Sequence, residues 1–296
     1  MPSAIQISAA KNIVFSGGNY AMMGAGGIGI GNDANAHITG TGLGANNVAV
    51  KDGYFTQVMG NSITAGGIRA DAHHPSDARM TNSRIEISGN IFYNVSSLFS
   101  STVPILATYV QNSLISHNDI YITPYTGICI GYGWGSNDAG GSSEYENRGL
   151  YKYQPKYSTP TTSMNNRIEG NLIHGYGYSH TDLGAIYTLS KSPSTYIVEN
   201  YGFDSSGFGA YTDEGSNSYL IQANIFLSNG IWYASNGVNT ANNTITGNYG
   251  KTGPTISGNT IVSDISKVSD AAKQIAQRAG VLPEKRGGRP VSNPPN

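Results

Sequence analysis

The sequence has few charged residues and one cysteine, and both scarcities exclude classes of protein. Only 12% of its 296 residues are charged, about half the quarter that is usual in globular proteins. The formal net charge of -1 gives no bulk attraction to nucleic acid or to an anionic membrane, so we predict neither as a partner. The one cysteine, Cys129, excludes an internal disulfide and a zinc site made of several thiolates. We expect it to be a small buried hydrophobe.

Long hydrophobic runs are also missing. No stretch approaches the roughly 18 apolar residues of a membrane-spanning helix, and residues 1–10 lack the basic and apolar regions of a signal peptide. Strand-like sequence begins at Ile5, so we expect the chain to start within its domain, as a truncated sequence would. Residues 24–31 are rich in glycine but lack the Lys-Ser/Thr pair of a phosphate loop. We expect no cofactor.

Glycine and tyrosine are abundant, with 39 and 20 residues, and this composition favours many short strands joined by tight turns. Within it, one aliphatic-X-X-Asn phrase recurs. The phrase ends at Asn61, Asn90, Asn118, Asn171, Asn224, Asn248 and Asn259, and a shortened version ends at Asn200. From Asn61 to Asn248 the spacings are 29, 28, 53, 29, 24 and 24 residues. The spacing of 53 corresponds either to two units or to one unit that carries an insertion.

This repeat predicts an all-β fold, a single-stranded right-handed parallel β-helix of the pectate-lyase-like solenoid type. Each repeat would form one turn of two or three strands, stacked about 4.8 Å above the previous turn. The Asn amide can bond the turn backbone and the Asn residues above and below it. The residue before it, often Gly, would adopt a left-handed backbone. An antiparallel sandwich also has short strands, but it gives no reason for one Asn phrase to return at this period.

Three segments divide the chain. We predict that residues 1–264 form the β-helix, with an insertion loop at 131–165 that is rich in Tyr, Gly, Ser and Pro. Apolar residues at helical spacing predict a C-terminal helix at 265–280, which would cover the open end of the stack. Residues 281–296 contain four prolines and are expected to be a disordered tail.

The scarce carboxylates gather beside two similar blocks, at 184–188 (GAIYT) and 209–212 (GAYT). Asp182 precedes the first block, and Asp213 and Glu214 follow the second. Glycoside hydrolysis needs two carboxyl groups, so these three are our candidate catalytic residues. Each acid alone can be explained as a turn residue, but their repeated pairing with similar blocks favours a site. Aligning the blocks places Asp213 over Leu189, seven residues beyond Asp182, so the two acids meet only if the chain turns between them.

Aromatic and histidine side chains near these acids are suited to sugar rings and hydroxyl groups. The candidate substrate-binding residues are Tyr125, Tyr132, Trp134, His174, His180, Tyr187 and Tyr211. A metal site at His73 and His74 is not expected, because adjacent residues of a strand face opposite ways.

Three motifs resemble a known family. ISHNDIYITPYTGICIGYGWG at 115–135, NRIEGNLIHGYG and TDLGAIYTL within 166–189, and AYTDEGS at 210–216 are similar to right-handed parallel β-helix glycoside hydrolases of the α-fucosidase/xylanase type. The resemblance covers roughly residues 46–279. It implies that Asp182 and Asp213 are the catalytic pair, that Glu214 is the accompanying acid, and that the protein is extracellular. Leu183 departs from the family, which has Gly there.

The sequence therefore predicts a glycoside hydrolase that cleaves plant or fungal cell-wall polysaccharide with two carboxylates. We expect a monomer that needs neither metal nor cofactor. A polysaccharide lyase is the first alternative. It would need a calcium cage or a basic residue near the acids, and Lys191 is the only basic side chain close to them in sequence. The second alternative is a glycan-binding or structural β-helix without catalysis.

Overall fold

Short parallel strands dominate the computed structural model, which describes residues 2–31, 43–135 and 157–287. The described strands form three parallel sheets of eight, eight and nine strands. Almost every strand pairs with the third strand after it along the chain, as Ser3–Ile7 does with Gly26–Ile30. The chain thus visits sheets A, B and C in rotation.

The three sheets have the following strands. Sheet A contains β1 (Ser3–Ile7), β4 (Gly26–Ile30), β7 (Ile63–Ala65), β10 (Ile105–Ala107), β13 (Ile128–Ile130), β16 (Gly184–Thr188), β19 (Phe208–Thr212) and β22 (Tyr233–Ser235). Sheet B contains β2 (Lys11–Ser16), β5 (Asn46–Lys51), β8 (Ser83–Ser88), β11 (Leu114–Ser116), β14 (Arg167–Glu169), β17 (Lys191–Val198), β20 (Asn217–Gln222) and β23 (Thr244–Thr246). Sheet C contains β3 (Asn19–Met23), β6 (Tyr54–Val58), β9 (Ile91–Tyr93), β12 (Asp119–Thr123), β15 (Leu172–Tyr176), β18 (Tyr201–Phe203), β21 (Ile225–Ile231), β24 (Tyr249–Thr252) and β25 (Thr260–Ile261).

This topology corrects the predicted fold class. The sequence predicts a single-stranded right-handed parallel β-helix, a pectate-lyase-like solenoid, whereas the structure is built from three separate parallel sheets. The recurring Asn phrase shows that a unit repeats, but it does not show how strands of successive units group into sheets. A full unit supplies one strand to each sheet, so the architecture is three stacked-strand sheets around a common core.

The core consists of identical or similar side chains aligned from strand to strand. In sheet A, Ile28, Ile63, Ile105, Ile128 and Ile186 occupy one register position, and all are fully buried. Full burial of such a side chain stabilises a fold by about 1.5–3 kcal/mol. A one-residue slip of any strand would turn this row toward solvent, and therefore the row fixes the register.

A ladder of buried asparagines runs along the passage from sheet B to sheet C, as the sequence predicts. The side-chain amide of each member donates to the side-chain oxygen of the next at 2.8–3.0 Å. Its members are Asn90, Asn118, Asn171, Asn200, Asn224, Asn248 and Asn259. The residue before each has positive φ, including the non-glycine residues His117, Glu199 and Ala223.

Two details of the repeat are settled by this ladder. Asn118 bonds directly to Asn171, so the spacing of 53 residues is one unit with an insertion. Asn61 is not a member, because its side-chain oxygen accepts from the backbone of Val103 instead. Gly53 takes the position below Asn90 and donates its N–H to the Asn90 side chain at 2.9 Å.

The C-terminal segment lies on the side of sheet C. Helix α2 (Asp270–Arg278) begins at the N-cap Ser269, and its buried Ala272 and Ala276 pack on Leu172, Tyr201, Phe203 and Ile225. These residues belong to the middle strands β15, β18 and β21, so the predicted placement over the open end of the stack is wrong. Residues 281–287 are ordered against the same sheet, with Val281 and Arg286 buried, which corrects the predicted disorder there. Residues 288–296 lie outside the described residues.

Candidate active site

The candidate site is built on the outer surface of sheet A, where β16 and β19 pair. Tyr187 lies beside Tyr211, and Thr188 beside Thr212. Ile186 and Thr188 are directed to the interior, so strand alternation turns Tyr187 outward. The two tyrosine rings meet edge to face with centroids 5.1 Å apart, an arrangement that aromatic pairs favour.

Both tyrosine hydroxyl groups donate to one carboxylate. Tyr187 donates to Oδ2 of Asp213, and Tyr211 donates to Oδ1 at 3.1 Å. Asp213 is 7% exposed and follows β19 at the corner between sheets A and B. Burial and the charge of Asp213 raise the pKa values of the Tyr187 and Tyr211 hydroxyls far above the ordinary value for tyrosine. The phenols are therefore permanent donors at neutral pH.

Asp182 reaches the same place from the other end of the strand. It is exposed and lies on the passage from sheet C to sheet A, just before β16. After burial, the charges of Asp213 and Asp182 raise the pKa of Tyr211. The charges of both acids therefore act on one tyrosine hydroxyl, although they lie on different corners of the chain, seven residues apart in register.

Three more residues complete this surface. Tyr125 packs beside Cys129, Tyr187 and Tyr211, and its pKa is raised by burial and then by Cys129, Asp182 and Asp213. The His180 ring meets Tyr125 at 5.5 Å, and its Nε2 lies 3.1 Å from Oγ of Ser100. Tyr125, Tyr187, Tyr211 and His180 thus form one cluster next to Asp213, and their role in substrate binding stays a prediction.

Cys129 is a member of this surface that the sequence analysis did not select for the site. It is buried, as expected, and burial raises the pKa of its thiol to about 12. Its register position is that of Tyr187 in the next strand. In the sequence Ile-Cys-Ile of β13, strand alternation directs Cys129 away from the interior, and this pattern could have identified it as part of the surface. A neutral thiol therefore forms part of the floor beside Tyr125.

Glu214 lies at the corner between sheets A and B, and the chain after Trp134 approaches this corner. Glu214 is 6% exposed. Gly215 has a φ of +75°, and an added Cβ would lie 2.2 Å from the carbonyl oxygen of Gly135. Only glycine allows this approach, which brings the chain after Trp134 against the two acids of the corner. Trp134 is half-buried, with its ring 5.6 Å from that of Tyr132.

Two predicted binding residues lie elsewhere. His174 belongs to sheet C, where its ring stacks between Tyr121 and Phe203 at 5.1 and 4.7 Å. It is absent from the site because the chain changes sheets between β15 and β16. Tyr132 packs on the separate cluster of Ala72 and Tyr109, and only its ring contact with Trp134 connects it to the site.

His73 and His74 also differ from expectation. His73 ends a short helix, α1 (Ala70–His73), and His74 follows it, so neither lies on a strand. Their side chains meet, with Nδ1 atoms 2.7 Å apart. His74 Nε2 lies 3.0 Å from the carbonyl oxygen of Thr159. Among the described residues, no group of three or more His, Cys, Asp or Glu side chains is arranged to hold a metal ion.

The predicted loop that walls the site is described only in part. Residues 131–135 and 157–165 are described, and residues 136–156 lie outside the described residues. Within the described ranges, no helix combines the length and the apolar character that crossing a bilayer requires.

Comparisons with known proteins support the fold. No protein-family model and no curated protein matches this sequence. A solved structure described as a glycoside hydrolase is similar to this chain, with a TM-score of 0.70 and 24% sequence identity. The match covers 96% of this chain and 41% of that chain, so this chain spans about two fifths of its length. The fold is therefore glycoside hydrolase-like, and the α-fucosidase/xylanase type stays a prediction.

Proposed function

We propose that this protein is a glycoside hydrolase whose catalytic pair is Asp182 and Asp213. One observation carries the proposal: Asp213 accepts from two buried phenols, and the charge of Asp182 acts on one of the same phenols. Two carboxyl groups beside one open surface are what cleavage of a glycosidic bond requires. The similar fold of a solved glycoside hydrolase supports the class of reaction that we propose.

The two acids have different surroundings, and we assign them different roles. Each carboxylate oxygen of Asp213 accepts a hydrogen bond from a tyrosine hydroxyl. This arrangement suits a carboxylate that acts as a nucleophile or as a base. Asp182 is exposed, so the leaving group of a bound substrate can reach it. Asp182 would protonate the leaving oxygen while the bond to the anomeric carbon breaks. Asp213 would attack that carbon or take a proton from the attacking water.

The substrate we propose is a cell-wall polysaccharide or oligosaccharide. Tyr125 and His180 lie beside the acid cluster, and the chain after Trp134 approaches Gly215. The three rings are half-buried, which suits the faces and hydroxyl groups of sugars. Glu214, buried at the same corner, is the reserve acid. We also propose an extracellular monomer, following the family resemblance.

The first test measures reducing-sugar release from a panel of cell-wall polysaccharides. We expect Asp213→Asn and Asp182→Asn each to lose about 100-fold or more. Asp270→Asn is the matched control, because Asp270 is a fully exposed aspartate on the C-terminal helix. Unchanged release in both site variants would show that the pair is not catalytic. Binding without turnover in every variant would favour a glycan-binding protein, and an unsaturated product would favour a lyase.

The second test separates the two roles. A substrate with a good leaving group needs no protonation, so it should restore most of the activity of Asp182→Asn and none of that of Asp213→Asn. The opposite pattern would exchange the roles. Equal rescue of both variants would contradict the assignment altogether.

A further inference from the structure

A cavity that does not include the acids lies along the start of sheet B. Its volume is about 650 Å³. Successive strands contribute to its wall at one register position, through Lys11, Asn46, Ser83 and Gln111. Because these residues repeat along the stack, the cavity is an elongated groove and not a single hole. It has the form expected for part of a chain molecule.

The charged residues that line this groove are all basic. Its charged lining residues are Lys11, Arg79 and Arg84, and among the described residues that line it none is acidic. Arg79 is held by Asp77, with Nη2 to Oδ2 at 2.6 Å. Among the described residues, Lys11 and Arg84 form no ion pair with a carboxylate. In a chain with a net charge of -1, these two cations are a local concentration of positive charge.

Arg84 is held in place by its neighbours. Its Nη2 donates to Oδ1 of Asn46 at 2.5 Å, and the amide of Asn46 donates to the hydroxyl of Ser83. The guanidinium has five N–H donors, and this arrangement uses one of them. The remaining donors have the planar geometry that binds a carboxylate or sulfate with two parallel bonds.

The groove and Asp213 lie on the same side of the stack, at the passage from sheet A to sheet B. Four strand spacings separate β8, which carries Arg84, from β20, which follows Asp213. This is about 19 Å along the stack. A chain of several sugar units is long enough to span this distance.

We propose that this groove binds the anionic groups of an acidic oligosaccharide, one that carries carboxylates along its chain. The inference rests on the proposed function, since it names the class of substrate that reaches the acids. Lys11 and Arg84 bind the carboxylates, and the hydroxyl and amide groups of Ser83, Asn46 and Gln111 bind sugar hydroxyls. The groove selects acidic chains and plays no part in bond cleavage.

Calorimetric titration of the full chain tests the proposal. The probes are an oligogalacturonate, a neutral xylo-oligosaccharide of equal length and inorganic phosphate. We expect the acidic oligomer to bind about tenfold more tightly than the neutral one, which is the effect of one charge-assisted hydrogen bond. The double variant Lys11→Gln/Arg84→Gln should lose that advantage.

The control variant removes the same charge elsewhere. Lys267→Gln/Lys273→Gln changes two lysines of the C-terminal segment, outside the groove, and should keep the advantage. An equal loss in both double variants would mean that only net charge matters and would overturn the proposal. Equal binding of the two oligomers would overturn it too, as would phosphate that binds as tightly as the acidic oligomer.

The failure of this proposal is distinguishable from that of the proposed function. Asp213→Asn should abolish hydrolysis and keep the preference for the acidic oligomer. If hydrolysis depends on Asp213 but no preference exists, only the groove proposal fails. If the preference exists and no variant hydrolyses any glycan, the groove proposal stands and the hydrolase proposal fails.

Discussion

Sheets A and C each carry a row of aromatic side chains on the outer surface, but the two rows have different surroundings. In sheet C the rings of Tyr93, Tyr121, His174 and Phe203 follow one another at 4.7–5.1 Å. In sheet A the corresponding row holds Cys129, Tyr187 and Tyr211. Strand alternation produces both rows in the same way, so a row of rings alone does not identify a site.

The two rows differ in the groups that pack against them. The C-terminal segment covers sheet C, and there the His174 Nε2 and the Tyr201 hydroxyl are buried without a hydrogen-bond partner among the described residues. On sheet A the hydroxyl groups of Tyr187 and Tyr211 converge on Asp213. The covered row functions as packing surface. The other row holds a carboxylate, and that pairing of polar groups is what marks it as a site.

The largest expected effect concerns the contact that holds the covering segment. Arg286 Nη2 lies 3.4 Å from Oδ2 of Asp119, which is fully buried. Arg286→Met leaves that carboxylate without its guanidinium, so we expect the free energy of unfolding to fall by about 3 kcal/mol. Denaturant unfolding measures this.

Lys285→Met is the control for this prediction. Lys285 pairs with Asp52 at 3.6 Å, but both side chains are largely exposed. Its loss should cost less than about 1 kcal/mol. Equal losses in the two variants would show that the segment is only loosely held, and sheet C would then be as open as sheet A.

The sequence predicted the repeat well and the site in part, for identifiable reasons. The Asn ladder and its left-handed neighbours depend on local chemistry, and both were predictable from one phrase. The grouping into three sheets depends on which distant strands pair, and spacing alone does not show that. His174 was misplaced because it is only eight residues from Asp182, yet the chain changes sheets between them. The proximity of both acids to Tyr211 depends on how far side chains extend from different corners of the chain, and residue spacing does not show that.

A smaller effect is the pH dependence of stability that His174 contributes on sheet C. Burial, with a further contribution from Arg286 and against the opposing charge of Asp204, lowers the pKa of His174 to about 4. The unfolded chain then binds more protons than the folded one below pH 6.5, so stability falls as the pH drops from about 6.5 to 4. At pH 5 the loss is about 2 kcal/mol.

His174→Phe continues the aromatic stack and should remove this loss. Thermal unfolding at pH 7 and pH 5 tests it, in wild type and variant. His73 and His74 contribute to the dependence that remains in the variant, because burial also lowers their pKa values, that of His73 to about 4. Identical pH dependence in the two proteins would mean that the ring of His174 is hydrated and that the C-terminal segment does not seal sheet C.

The smallest expected effect is a difference in stability between two matched Tyr→Phe substitutions, one in sheet A and one in sheet C. Tyr187→Phe removes a donor from the buried Asp213 carboxylate and should destabilise the protein by about 1.5 kcal/mol. Tyr201→Phe removes a buried hydroxyl that has no partner among the described residues, so it should be neutral or slightly stabilising. Denaturant unfolding of both variants at pH 7 measures the difference. If both were equally destabilising, ring packing alone would explain the two rows, and the hydroxyl groups around Asp213 would lose their claim to a functional role.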